Sequence, residues 1–167
     1  MLTVTNVNDA PLLAKISNQT IAEDTVTGAI SFTVNDIDND PSSLILSVVS
    51  SNQALVAAQN ITLRGSGTNR TISITPTTDE FGQVSITVAL TDGSLTVTDS
   101  FMLTVTNVND APLLANIPNQ TISEDTVSTA INFTVYDIDN DLNSLELFAI
   151  SSNNELVSTQ VREQIEH

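Results

Sequence analysis

Residues 1–14 read MLTVTNVNDAPLLA, and residues 102–115 repeat the same fourteen letters. The offset of 101 continues without a gap. NQTI at 18–21 returns at 119–122, EDTV at 23–26 at 124–127, DIDND at 36–40 at 137–141, and SSN at 50–52 at 151–153. Comparing 1–60 with 102–161 gives 42 identities in 60 positions. Self-similarity at one fixed offset is the mark of a tandem array. The chain therefore reads as a window cut from such an array, with a unit of 101 residues. Residues 1–8 read as the remnant of a preceding unit's last strand, 9–109 as one complete unit, and 110–160 as the first half of the next. Residues 161–167 depart from the template and read as a divergent tail.

Inside the unit the apolar period is two. Ala29-Ile-Ser-Phe-Thr-Val-Asn35, Asn69-Arg-Thr-Ile-Ser-Ile-Thr75, Gln83-Val-Ser-Ile-Thr-Val-Ala89 and Ser100-Phe-Met-Leu-Thr-Val-Thr106 alternate apolar with polar residues. They are rich in β-branched side chains, as half-buried strands require. Leu44–Val49 and Asn60–Leu63 are two further candidates. Turn chemistry separates them at Asp40-Pro41, Gly65-Ser-Gly67, Thr75-Pro76, Phe81-Gly82 and Asp92-Gly93. Asp92-Gly93 predicts a tight hairpin. No segment holds a 3.6-residue apolar period. About seven short strands in a unit of this size predict an all-β fold, an antiparallel Greek-key β-sandwich of immunoglobulin-like type. Tyr136 and the Phe residues are expected as the larger core or edge groups.

Composition excludes several functions. Four Lys and Arg face 20 Asp and Glu, for a formal net charge of −16. Such a chain repels phosphate backbones, which argues against nucleic-acid partners. There is no Cys, hence no disulfide framework, thiolate metal site or Cys nucleophile. The single His is the terminal His167, which leaves little for His-based acid–base catalysis. No apolar run is long enough to insert in a membrane.

The acids are concentrated. Fifteen of the 20 fall in short motifs: Asp9 and Asp110 in VNDAP; Glu23, Asp24, Glu124 and Asp125 in EDT; Asp36, Asp38, Asp40, Asp137, Asp139 and Asp141 in DIDND; Asp79-Glu80; and Asp92. A surface that needed only solubility would scatter its charges. Alternating Asp residues are unfavourable unless a cation offsets them, and Ca2+ takes six to eight oxygen ligands of this kind. DIDND is not an EF-hand loop, because Pro41 and Ser47 stand where Gly and Glu are needed. The plainer reading of three alternating Asp is an Asx-rich turn capping a strand. That does not explain why Asn-Val-Asn-Asp-Ala-Pro stands at the unit boundary.

Together these motifs resemble the cadherin-type repeat, in the divergent form found in arrays of bacterial surface proteins. Asn107-Val-Asn109-Asp110-Ala-Pro112 is similar to the cadherin interdomain linker, with Asn107 in place of its first Asp. Asp137-Ile-Asp139 matches the family's Asp-x-Asp, Glu23 its Glu near the first strand, and Asp79-Glu80 a shortened Asp-Arg-Glu. The resemblance implies Ca2+ between consecutive units. Its ligands would be Glu23, Asp79 and Glu80 of one unit, Asn107, Asn109 and Asp110 of the linker, and Asp137 and Asp139 of the next, with Asp141 beside them. At the N-terminal end the corresponding set is Asn8, Asp9, Asp36, Asp38 and Asp92, with Asp40 in the place of Asp141.

The reading that follows is a Ca2+-stiffened structural or adhesive module of a long extracellular or cell-surface protein. It is not an enzyme. Its partners are neighbouring repeats and a cell-surface protein or glycan. The alternative is a carbohydrate-binding or accessory β-sandwich of a secreted enzyme. Aromatic residues that stack on sugars are few, with one Tyr and no Trp, which weakens that alternative. The half unit is expected to be less stable than the complete one.

Overall fold

Alternating apolar side chains need two sheets to bury against, and the complete unit supplies them. A computed structural model describes residues 1–157, and the backbone alone of 160–164. In the first unit the strands are β1 (Leu12–Leu13), β2 (Gln19–Ala22), β3 (Ile30–Asn35), β4 (Ile45–Ser50), β5 (Ile61–Ser66), β6 (Asn69–Ile74), β7 (Gly82–Thr91) and β8 (Thr96–Thr106). They form two four-stranded sheets, ordered β1-β3-β6-β5 and β2-β8-β7-β4. No α-helix occurs among the described residues. The fold is an all-β sandwich.

β7 and β8 run beyond the alternating stretches Gln83–Ala89 and Ser100–Thr106, β7 on to Thr91 and β8 from Thr96. The hairpin at Asp92-Gly93 then pairs Gly82 with Val105 and Thr91 with Thr96 at its ends. The side-chain period runs unbroken through both, so nothing divides them. One pairing departs from the antiparallel expectation. β2 lies parallel to β8, with Gln19 opposite Leu103 and Ala22 opposite Thr106. The first β-segment is thus divided between the sheets, β1 on β3 and β2 on β8.

The inward positions fill one core: Phe32 and Val34 from β3, Ile72 and Ile74 from β6, Val84 to Leu90 at alternate positions of β7, and Phe101, Leu103 and Val105 from β8. Ile16, Leu44, Leu55 and Val56 close its ends. Each such burial contributes about 1.5–3 kcal/mol relative to exposure. The β5–β6 hairpin depends on Gly65. A Cβ there would meet the carbonyl oxygen of Asn69 at 2.4 Å, and its φ is +97°. Phe32 and Phe101 are core groups, whereas Tyr136 is 57% exposed on an edge strand.

The chain divides into two compact units, 1–108 and 109–167. Residues 1–11 form no strand. The ladder partners that a terminal strand of a preceding unit would need are not in the chain. The second unit has β9 (Leu113–Leu114) paired with β10 (Val135–Tyr136), and β11 (Glu146–Ile150) paired with β12 (Gln160–Gln164). The β9–β10 register, Leu113 opposite Tyr136, is that of β1–β3 moved by 101. The repeat of β2, residues 120–123, is not a strand, because β2 is held only by β8. β10 keeps two residues of the six in β3, because the remainder of β3 pairs with β6. Of the divergent tail, residues 165–167 lie outside the described residues.

Candidate metal centre

At the N-terminal end of the first unit, three segments converge. Asp36–Asp40 leave β3, Asp92 opens the β7–β8 turn, and Asn6–Asp9 run toward β1. Asp36 organises its own loop. Its Oδ1 accepts the backbone N–H groups of Asp38 at 2.8 Å and Asn39 at 2.9 Å, and the Asn39 side-chain amide at 3.3 Å. This is an Asx turn, as alternating Asp residues favour. Asp38 then reaches the N-terminal segment. Its carboxylate accepts the Asn6 amide at 2.9 Å and the backbone N–H of Asp9 at 2.7 Å. Asp92 accepts the Asn8 amide at 2.8 Å and the backbone N–H groups of Ser94 and Leu95. Asn39 donates to the carbonyl oxygen of the Asn8 side chain at 3.3 Å.

One oxygen stands apart from this network. Asp36 Oδ2 is buried and has no hydrogen-bond partner, and the same holds for Asp137 Oδ2 in the second unit. A buried carboxylate oxygen without a donor is costly and calls for an explanation. In the second unit the loop is rebuilt contact by contact. Asp137 Oδ1 accepts from Asp139 N at 3.0 Å and Asn140 N at 2.8 Å, while Asp139 accepts from Asp110 N at 2.6 Å. The Asn140 amide donates to Asn109 at 2.8 Å. Half a sandwich is enough to build this loop, so its shape is set locally. Asp137 is only 9% exposed.

Hydrogen bonds lower the pKa of several of these carboxyls. The Asp9 backbone N–H and then the Asn6 amide hold Asp38 below the usual carboxylate range. The Asn8 amide does the same for Asp92, followed by the Leu95 and Ser94 N–H groups. Burial is the strongest influence on Asp137 and pushes its pKa up, yet the combined donors from Asn140 and Asp139 leave it lowered. These groups stay ionised at neutral pH.

Asp40 and Asp141 are engaged differently from their neighbours. Asp40 Oδ1 accepts Ser42 N at 2.7 Å, which holds its pKa down. Asp141 caps the short 3-10 turn Leu142–Ser144 by accepting Asn143 N at 2.8 Å. Both start the approach to the next strand.

Glu23, Asp79 and Glu80 gather at the other end of the first unit's sandwich, and Asn107 follows β8 there. Glu23 is 4% exposed, and its Oε1 accepts the backbone N–H of Val108 at 2.5 Å. Asp79 N donates to Asp24 Oδ1 at 3.2 Å, and both Asp24 and Asp79 have positive φ, near +57° and +59°. The predicted ligands of the first unit thus divide between its two ends. Sequence reasoning missed Asn6, Asn39 and Asp24 as members of these clusters. Asn6 was findable, since it is Asn107 moved by 101.

All the donors at the N-terminal cluster are carboxylate, amide or carbonyl oxygens. That set suits a hard cation, and the buried Asp36 Oδ2 offers such an ion a waiting ligand. The residues present therefore fit Ca2+.

The bacterial Ig domain family matches residues 8–106. No curated protein matches the chain. Among solved structures, a chimeric titin Z1Z2 is similar at 14% identity, covering 62% of this chain and all of that one, with a TM-score of 0.46. The titin M3 domain is similar at 18% identity over 57% of this chain and 96% of that one, with a TM-score of 0.44. An endo-fucoidan hydrolase of glycoside hydrolase family 107 is similar at 18% identity over 63% of this chain, 15% of its own, with a TM-score of 0.45.

Proposed function

Since the chain belongs to the bacterial Ig domain family, we propose that it is a structural repeat module of an extracellular array, whose unit ends bind Ca2+. The orphaned, buried oxygens of Asp36 and Asp137 carry this reading, because they recur at the same place in both units. Asp36, Asp38 and Asp92, with the oxygens of Asn8 and Asp9, would hold the ion in the first unit. Asp137, Asp139, Asn109 and Asp110 would hold it in the second. Glu23, Asp79, Glu80 and Asn107 are further acceptors at the other end of the first unit. When bound, the ion cancels the mutual repulsion of these carboxylates. The chain's own residues do the rest: Asp36 shapes the loop, Asp38 fastens it to the linker segment, and Asn8 joins that segment to the β7–β8 turn. The linker is thereby tied to two separate loops of one unit. Adhesion, as the task of the parent protein, rests on the same reading. No described helix is long and apolar enough to cross a membrane.

A calcium titration followed by heat and by melting temperature tests the proposal. At about a hundred times Kd, binding to the folded state alone adds about 2.7 kcal/mol. For a domain of this size that raises the melting temperature by about 10 °C or more. Absence of both heat and shift would refute it. Mg2+ is the control, because its smaller, octahedral shell suits this crowded set less well.

A further inference from the structure

The chain has four Lys and Arg residues, and two of them meet at one cleft. This cleft opens at the seam where the two sheets part, between the edge strands β4 and β5. It has a volume of about 310 Å³. Its floor is apolar, with Leu44, Leu46 and Leu63, and Ser42 and Ser66 line it with Arg64 and Arg70. No Asp or Glu lines it, in a chain that has 20 of them.

Arg70 is the unusual member. It occupies an inward position of β6, in line with Ile72 and Ile74, and is 6% exposed. Its Nη2 donates to the carbonyl oxygen of Pro41 at 2.9 Å. Among the described residues it forms no ion pair. One neutral acceptor serves a guanidinium with five N–H donors. Burying a charge without a counter-charge is unfavourable, so an anion arriving here would find a donor already desolvated. Asp40, which precedes the Pro41 that Arg70 contacts, is directed instead to Ser42 N.

We propose that this cleft binds the carboxylate or sulfate of an acidic saccharide. The cleft has room for more than a bare ion, since a single water needs only about 10–15 Å³ of such space. The leucine floor suits the C–H face of a sugar ring, and the two serines suit its hydroxyls. Arg64 and Arg70 supply the fork that reads a planar or tetrahedral oxyanion. Recognition through charge needs no aromatic platform, so the scarcity of Tyr and Trp does not oppose it. The cleft involves none of the candidate cation ligands, so the proposal stands or falls separately from calcium.

The test uses the full chain in chelator, which removes any bridging by Ca2+. Tri-galacturonate, a sulfated trisaccharide, inorganic sulfate and neutral maltotriose are titrated while the backbone NMR signals of Ser42, Ser66 and Arg70 are followed. Saturable shifts with one or both acidic saccharides, and none with maltotriose, are expected, and which one binds distinguishes carboxylate from sulfate. Arg64→Glu, an exposed position, should weaken binding by at least about tenfold with an unchanged melting temperature. Arg70→Lys keeps the charge but loses the fork and should also weaken it. The proposal is overturned if no acidic saccharide binds at millimolar concentration, if Arg64→Glu binds as well as the parent, or if sulfate alone binds as tightly as the saccharides.

Discussion

Asp36 and Asp137 are one position of the repeat, met twice, and both leave a buried carboxylate oxygen without a donor. Asp36→Asn keeps the Oδ1 acceptor that shapes the loop while removing the negative charge. In chelator it should melt close to the parent temperature, because the Oδ1 contacts remain and the buried, donor-less position no longer carries charge. Its rise on adding calcium should shrink to a small fraction of the parent's. Paired thermal melts of the two proteins with and without calcium check this; an unreduced rise removes Asp36 from the site. The lowered pKa values of Asp38, Asp40 and Asp92 fix a pH dependence. Their stabilisation is present above the ordinary Asp value of 3.8 and is lost as pH falls through the lower folded values. Melting temperature in chelator should hold from neutral pH to about 5 and then decline, and Asp92→Asn should flatten part of that decline. At this scale the sequence was informative about chemistry but not about who bonds whom. Alternating Asp announced an oxygen-rich loop. That Asn39 faces Asn8 depends on how two loops and a linker meet, which no single motif encodes.

Strands in this chain exist where they have partners. The first half of each unit is nearly the same sequence, yet residues 19–22 form a strand and 120–123 do not. Leu55 is 2% exposed and its repeat Leu156 is 81% exposed; Val56 and Val157 are 0% and 53%. Leu55→Ala should therefore cost about 2–4 kcal/mol, and Leu156→Ala less than about 0.5 kcal/mol. Denaturant unfolding of the two variants measures the difference, and equal costs would contradict the burial seen here. The alternation of apolar residues made β3, β6, β7 and β8 legible, because a period of two has one structural meaning. The β2–β8 pairing was not legible. A four-residue segment shows no preference for parallel or antiparallel company, and its choice of sheet follows from where β1 leaves the chain.

At the scale of the molecule the repeat set the organisation, and the −16 charge gained a location. Much of it sits in loops and turns at the two ends of a sandwich whose strands are almost free of acids. The second unit leaves large apolar side chains open to solvent, among them Leu113, Ile122, Phe148 and Ile150. Limited proteolysis should cut within 110–157 well before it cuts between 12 and 106, and mass spectrometry of the early fragments would show the order. Early cuts inside 12–106 would mean that the complete unit is not the stable part. The parallel alignment of β2 with β8 has a mechanical consequence. β2 lies near the start of the unit and β8 at its end, so tension along an array pulls the two strands past one another lengthwise. The four register pairs from Gln19–Leu103 to Ala22–Thr106 then share the load together, where a hairpin pulled from one end would open a rung at a time. Glu23, holding Val108 just beyond the last rung, fastens the exit of this clutch.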